Sequence, residues 1–302
     1  MDLRELGYFV AVAEERHFGR AATRLHMTQP PLSRAIRALE TELGVALFER
    51  TPAGVSPTAA GDALYREARE LLERSAQIPV RVAAAAGVPT LTVGVLADSA
   101  LELGTQLAGA FRDRHRGVLI RIREADLADP TAGLRAGLVH VALTRKPFDE
   151  RGITVRTLRA DPVGVVLRAD DPLAVRPSVR LADLAGRRWF RFPDGTDPLW
   201  AAFWSPQAAA GEPPDDRPVV RTIHECLEAV LWNDTVGLGP LGHALPAGLA
   251  IVPVTDLPPS PLVVAWPAGT TNPLVKSFAR TAQTLYRSRK PPRPDLPGVG
   301  CP

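Results

Sequence analysis

Apolar residues Leu6, Phe9, Val10 and Ala13 recur at helical spacing near the start of the chain, which predicts an amphipathic helix. A polar break at His17 precedes a short second helix over 19–25. A third helix is predicted over 30–43, with Leu32, Ile36, Leu39 and Leu43 on one face. Pro30 and Pro31 suit its first turn, where backbone N–H groups have no intrahelical partner. Gly44 supplies its C-terminal stop. Two short extended pieces follow over 45–56, around a turn at Pro52-Ala53-Gly54.

From Thr58 to about Gly87 the pattern is that of one long helix. Leu64, Leu71 and Ile78 repeat every seven residues, with Gly61, Ala68, Ser75 and Val82 between them. Arg66, Glu67, Arg69, Glu70, Glu73 and Arg74 flank this seam, as in a two-stranded coiled coil. A helix packed on its own domain is the competing reading. Pro79 removes a bond to the carbonyl of Ser75, so a kink or break is expected there.

Gly87-Val88-Pro89 reads as a linker, and from Thr90 the period changes. Strands are expected over 91–96, 118–124, 139–144, 163–167, 189–192, 219–223, 236–239, 250–254 and 262–266. Helices are expected over 101–112, 131–136, 181–184, 224–232 and 273–286. The alternation argues for an α/β region with largely parallel sheets, long enough for two similar lobes. The Pro/Gly-rich segment 291–302 is expected to be disordered. The resulting division is a helical head over 1–58, a linker helix over 59–88, an α/β region over 89–290 and a tail.

Composition changes this picture little. The 302 residues are 45% hydrophobic and 23% charged, with a formal charge of +3. Arginine dominates the cations, since Lys146, Lys276 and Lys290 are the only lysines. Arginine excess suits phosphate or carboxylate recognition, and genome base composition produces the same bias. Cys226 and Cys301 give no disulfide framework. Met1-Asp2-Leu3-Arg4-Glu5 has no apolar stretch of a signal peptide, and no run of about 18 uncharged apolar residues is present. A cytoplasmic protein without membrane contact is expected.

Chemistry concentrates between Phe18 and Glu40. Ala21 and Ala22 allow close helix packing, a short turn follows, and the next helix opens with polar residues. This is helix-turn-helix logic, in which the second helix puts its N-terminal side chains into the major groove. Between Arg16 and Arg37 there are five arginines and no acid, a basic footprint for DNA phosphates.

The block Ala21-Ala22, Leu25, Gln29-Pro30-Pro31-Leu32-Ser33-Arg34-Ala35-Ile36-Arg37-Ala38-Leu39-Glu40 and Leu43-Gly44-Val45-Ala46-Leu47-Phe48-Glu49-Arg50 resembles the LysR-type family signature without a gap. Asp171-Pro172-Leu173-Ala174 and Leu181-Ala182-Asp183-Leu184-Ala185-Gly186 echo the family's middle segment. The resemblance implies an N-terminal winged helix-turn-helix and a C-terminal two-lobed α/β domain of the periplasmic-binding-protein type 2 kind. With the chemistry of the side chains it assigns Gln29 and Ser33 to base edges or phosphates and Arg34 to a guanine edge. Thr28, Pro30, Arg37 and Arg50 fall to the helix start and the phosphate backbone, with Thr28 also a cap. The wing departs from the family pattern: Ala53 stands where a second arginine is frequent, and Pro57 precedes Thr58, so minor-groove readout by the wing is not implied.

For the larger domain the resemblance implies an effector cleft between lobes. Its positions map to Asp98, Ser99 and Ala100, to Asp126 and Leu127, to Arg145 as a carboxylate partner, to Trp200 as an apolar wall, and to Thr222 and Ile223. Plain N-capping explains Asp98 or Ser99 equally well. His140 replaces the family's usual aspartate.

Other motifs fail on their chemistry. Gly237-Leu238-Gly239-Pro240-Leu241-Gly242 lacks the helix a dinucleotide site needs, and reads as a strand-to-turn packing element. His224-Glu225-Cys226-Leu227-Glu228 has a glutamate where zinc needs a second histidine. No nucleophile elbow or CxxC occurs, so neither an enzyme nor a cofactor is expected. The expectation is a transcription regulator that binds double-stranded DNA, a small-molecule effector and itself, as a homodimer or homotetramer. The alternative is a cytoplasmic small-molecule-binding protein without transcriptional role.

Overall fold

The computed structural model describes residues 1–51, 54–85, 87–96, 104–206, 217–243 and 245–287. The chain divides into two compact units, Met1–Gly87 and Val88–Pro302.

The first unit begins with α1 (Leu3–Glu15), held by a reciprocal cap: Asp2 Oδ1 accepts the Glu5 N–H at 2.8 Å and Glu5 Oε2 accepts the Asp2 N–H at 2.9 Å. In α2 (Phe18–Arg24) the cap is His17, whose Nδ1 accepts from the N–H groups of Gly19 and Arg20 at 3.0 and 3.3 Å. After a turn through His26, α3 spans Gln29–Leu43 and stops at Gly44 in the left-handed conformation. Leu32, Ile36 and Leu39 are buried as expected, whereas Leu43 is 39% exposed and does not join the core face. A hairpin of β1 (Phe48–Thr51) and β2 (Gly54–Pro57) forms the wing, and α4 (Ala59–Ala85) follows. One core joins Leu6, Phe9 and Val12 of α1 to Ala21, Ala22, Leu32, Ile36, Leu39, Leu47, Val55 and Ala68.

Helix α4 corrects the seam read from sequence. Gly61 faces its own unit, where an added Cβ would lie 2.2 Å from the Leu47 carbonyl oxygen. Ala68 is fully buried and Leu64 packs on the same core. Only further along do apolar residues turn to solvent: Leu71, Ile78 and Val82 are exposed. The heptad therefore serves two surfaces in succession. The helix runs unbroken through Pro79, so of the kink or break expected there the break does not occur.

The second unit holds two mixed sheets. The five-stranded one has the order β4 (Leu119–Ala125), β3 (Thr90–Leu96), β5 (Val141–Arg145), β11 (Ser260–Pro267), β6 (Ile153–Asp161). The four-stranded one has the order β10 (Leu249–Pro253), β7 (Val163–Arg168), β9 (Thr235–Pro240), β8 (Arg188–Trp189). Around them lie α5 (Gly104–Arg114), α6 (Pro198–Trp204), α7 (Ile223–Asn233), α8 (Pro273–Arg287) and a 3-10 turn at Leu181–Leu184. Pairings of β3 with β4 and β5, and of β8 with β9, are parallel; the others between named strands of this unit are antiparallel. The largely parallel arrangement expected from alternation is thus corrected: β11 returns from the second lobe and enters the first sheet antiparallel.

Three local expectations also change. Residues 131–136 form turns rather than a helix, because Ala132 and Gly133 take positive φ and Asp129 accepts from the N–H groups of Thr131 and Gly133 at 3.0 and 2.7 Å. The strand expected over 219–223 reduces to a bridge between Arg191 and Val219, and Ile223 opens α7. The strand expected over 189–192 shortens to β8. The helix expected from 101 begins within the described residues at Gly104, and the tail 291–302 lies outside them.

Candidate nucleic-acid interface and effector cavity

The helix-turn-helix is built by close approach of α2 and α3. Ala21 and Ala22 are buried at the contact, and the intervening turn is tied back by the Met27 N–H to the Ala22 carbonyl at 2.9 Å. Burying Leu32, Ile36 and Leu39 turns the opposite face of α3 outward. Thr28, Gln29, Pro30, Arg34 and Arg37 are exposed and Ser33 is half-buried. Thr28 occupies the N-cap position, but its side chain makes no cap bond, so its hydroxyl does not serve the capping role expected of it. Arg50 lies in β1, with its side chain outside the described residues, as is Ala53.

The arginines of this region separate into two groups. Arg24 pairs with Glu14 at 2.7 Å and Glu15 at 3.3 Å, and Arg20 with Glu15 at 3.6 Å. Acids from α1 thus offset part of the basic footprint read from the local sequence. Arg34 and Arg37 have no ion pair among the described residues, and both lie on the exposed face of α3.

Two contacts fix the wing. Glu40 Oε1 accepts the N–H groups of Leu47 and Phe48 at 2.8 and 3.3 Å, tying α3 to the strand that follows. The Val55 N–H donates to the Arg16 carbonyl at 3.1 Å. Gly54 takes φ +133° there, and a Cβ would stand 2.6 Å from that carbonyl oxygen. Pro57 packs beside Gly61 at the entry to α4. Thr58 closes the joint: its hydroxyl donates to the Ala46 carbonyl at 2.8 Å and accepts the Gly61 N–H at 3.0 Å.

The second unit contains a cavity of about 740 Å³, counting its open mouth. Leu96, Leu127 and Arg145 come from the first lobe; Phe190, Phe192, Trp200, Trp204, Gly237 and the Ile223, Cys226, Leu227 and Val230 face of α7 come from the second. Of the residues proposed from sequence, Leu127, Arg145, Trp200 and Ile223 meet here. Asp98, Ser99 and Ala100 lie outside the described residues. Asp126 and Thr222 are spent otherwise. Asp126 pairs with Arg221 at 3.1 Å and accepts the Ala128 N–H at 2.8 Å. Thr222 caps α7 reciprocally with Glu225.

Arg145 is 5% exposed and bonds Asp161 at 2.7 Å, so the carboxylate partner expected from a ligand is present inside the fold. Burial pushes the pKa of the Cys226 thiol up. Gly237 belongs to the tempting glycine motif and has a packing role: a Cβ would stand 2.4 Å from the Phe190 ring. His140 gains an account as well. Its Nδ1 accepts the Thr92 N–H at 2.9 Å, an acceptor role that an aspartate also fills.

Sequence reasoning missed Trp204, Phe190, Phe192 and the inner face of α7. Two signals for them were present. Asp197-Pro198 marks the start of α6, where Asp197 accepts the Leu199 N–H at 2.9 Å. The 223, 226, 227, 230 spacing marks one face of a helix already expected there. Among the described residues no cluster suited to a metal ion occurs, and no helix is long and apolar enough to cross a membrane.

A winged helix-turn-helix followed by a two-lobed α/β unit enclosing a cavity defines a class: DNA-binding regulators with a small-molecule domain. The family model for bacterial regulatory helix-turn-helix proteins of the lysR family matches residues 3–62, and that for the LysR substrate binding domain matches residues 84–287. The chain belongs to the LysR family of transcriptional regulators. It is 30% identical over 300 residues to the Hca operon transcriptional activator HcaR of Escherichia coli (strain K12), covering 95% of this chain and 99% of that protein. It is 32% identical over 247 residues to the regulator TfdS of Cupriavidus pinatubonensis (strain JMP 134 / LMG 1197), covering 81% and 84%. Its match to AlsR of Bacillus subtilis (strain 168), 34% over 186 residues, spans 61% of this chain and 62% of that protein. The crystal structure of full-length BenM is similar with a TM-score of 0.53 and 27% identity, covering 97% of this chain and all of that one. These relatives are regulators and not enzymes, and the chain is a DNA-binding transcriptional regulator with an effector-binding domain.

Proposed function

We propose that α3 enters the major groove of double-stranded DNA, with Gln29, Ser33 and Arg34 at base edges. Thr28, Pro30, Arg37 and Arg50 lie along the phosphate backbone. The observation that carries this reading is the division of α3. Its apolar face is buried in the core, while Gln29 and Arg34 of its first turns are exposed, and Arg34 and Arg37 make no ion pair among the described residues. A helix so divided is free to be read by DNA without unpacking the head.

The exposed stripe Leu71, Ile78 and Val82 on α4 supports self-association, so that two heads address related half-sites. The cavity of the second unit holds the effector, with Leu127, Arg145, Trp200 and Ile223 in its wall. The regulator works inside the cell, where its DNA is.

Fluorescence anisotropy on DNA from the gene's own upstream region, titrated with salt, tests the first part. Affinity falls as salt rises, because phosphate contacts release counterions, and the specific site outcompetes scrambled DNA. Equal binding to both sequences, or none at low salt, overturns the reading.

A further inference from the structure

The cavity wall carries buried hydrogen-bond donors that lack acceptors. Trp200 and Trp204 are 3% and 5% exposed, and neither indole N–H has a partner among the described residues. The Nε–H of Arg145 is in the same condition, although another nitrogen of that guanidinium holds Asp161. All three residues line the one cavity. Buried polar groups nearly always find partners, so three unmatched donors around one space call for explanation.

The mismatch has one sign. Among the described lining residues no side-chain acceptor is both buried and unpartnered. What fits the space therefore brings acceptors for these donors. The rest of the wall specifies its body. Phe190 and Phe192 meet edge to face with centroids 5.8 Å apart, and Trp200 and Trp204 lie 5.4 Å apart. Aromatic walls favour a flat, ring-bearing guest in offset or edge contact.

Charge narrows the class further. A buried carboxylate needs a cation to face it. The guanidinium in this wall already faces Asp161 at 2.7 Å. A guest with two carboxylates would meet a largely apolar surface with that internal pair already made.

We propose that the effector is a ring-bearing, mainly apolar molecule with an uncharged oxygen acceptor, of the aryl ketone kind, rather than a di- or tricarboxylate. This rests on the reading of the cavity as the effector site.

The test uses the full chain and four probes of matched size: acetophenone, ethylbenzene, benzoate and phthalate. Binding is followed by calorimetry and by indole fluorescence. Acetophenone is expected to bind about tenfold tighter than ethylbenzene, the equivalent of one net hydrogen bond, and tighter than benzoate or phthalate. Trp204→Phe and Trp200→Phe each remove one donor and keep an aromatic wall. At least one of them brings acetophenone down toward ethylbenzene, while ethylbenzene itself changes by less than about twofold. Leu227→Trp, at a half-buried lining position, fills the space and abolishes binding. Equal affinity for acetophenone and ethylbenzene, tighter binding of phthalate, or no binding of any probe overturns the chemical class. Phthalate binding that Leu227→Trp abolishes leaves the cavity as the effector site and removes only the chemistry. Probe binding that survives Leu227→Trp removes the cavity itself.

Discussion

Arg34 and Arg37 differ from Arg20 and Arg24 in the company they keep. The latter pair is engaged by Glu15 and Glu14, so sequence counting overstates how much positive charge this segment offers to DNA. Spacing could not reveal that, because the acids come from α1. Arg34→Ala is expected to leave the head folded and to flatten discrimination at one base pair by about 1–3 kcal/mol, measured by anisotropy across single-base variants of the binding site. Unchanged discrimination means that Arg34 touches phosphate only. His140 makes a different prediction. Burial lowers its pKa, so the unfolded chain binds more protons and stability rises with pH. The contribution is fully present above the ordinary imidazole value of about 6.5 and is lost as pH falls below it. Thermal melts at pH 7.5 and pH 5.5 are expected to differ less in His140→Gln than in the parent chain. Equal differences refute the assignment.

Elements with one clean period were legible in the sequence, and elements that serve two neighbours were not. Helices α1 and α3 follow from apolar spacing, with the stop of α3 marked by Gly44. Strand β6 was missed because only Leu158 and Asp161 along it are buried, and a register shift at Leu262/Val263 of its partner breaks the alternation further. The helix read over 131–136 was an error of the opposite kind, a short apolar run that Asp129 winds into turns. Helix α4 combines both lessons, since one heptad faces the head first and solvent later. Ile78→Glu places a charge on the outward stretch, where the residue is 58% exposed. Sedimentation is expected to show the assembly dissociating while circular dichroism stays unchanged. An unaltered mass removes this stretch from the proposed self-association.

At the scale of the molecule, two compact units predict two unfolding steps. Differential scanning calorimetry with a cavity ligand at a hundredfold its Kd is expected to raise only the step of the second unit, by about 2.7 kcal/mol of apparent stability. A single step, or movement of both, contradicts independent unfolding. The architecture was legible because strand–helix alternation begins abruptly at Thr90, and the cavity in part, through Leu127, Arg145, Trp200 and Ile223. What sequence order concealed is chain return: β6 and β11 neighbour each other in space although the whole second lobe lies between them.

That return governs how the protein is made. Strand β11 lies inside the five-stranded sheet, flanked by β5 and β6, yet among the described strands it is the last to leave the ribosome. Until Ser260–Pro267 emerges, both flanking strands carry a bare hydrogen-bonding edge. A nascent or prematurely terminated chain therefore displays two adhesive margins beside a lobe that is already complete. Nonsense mutations late in the gene should yield aggregation rather than a working fragment.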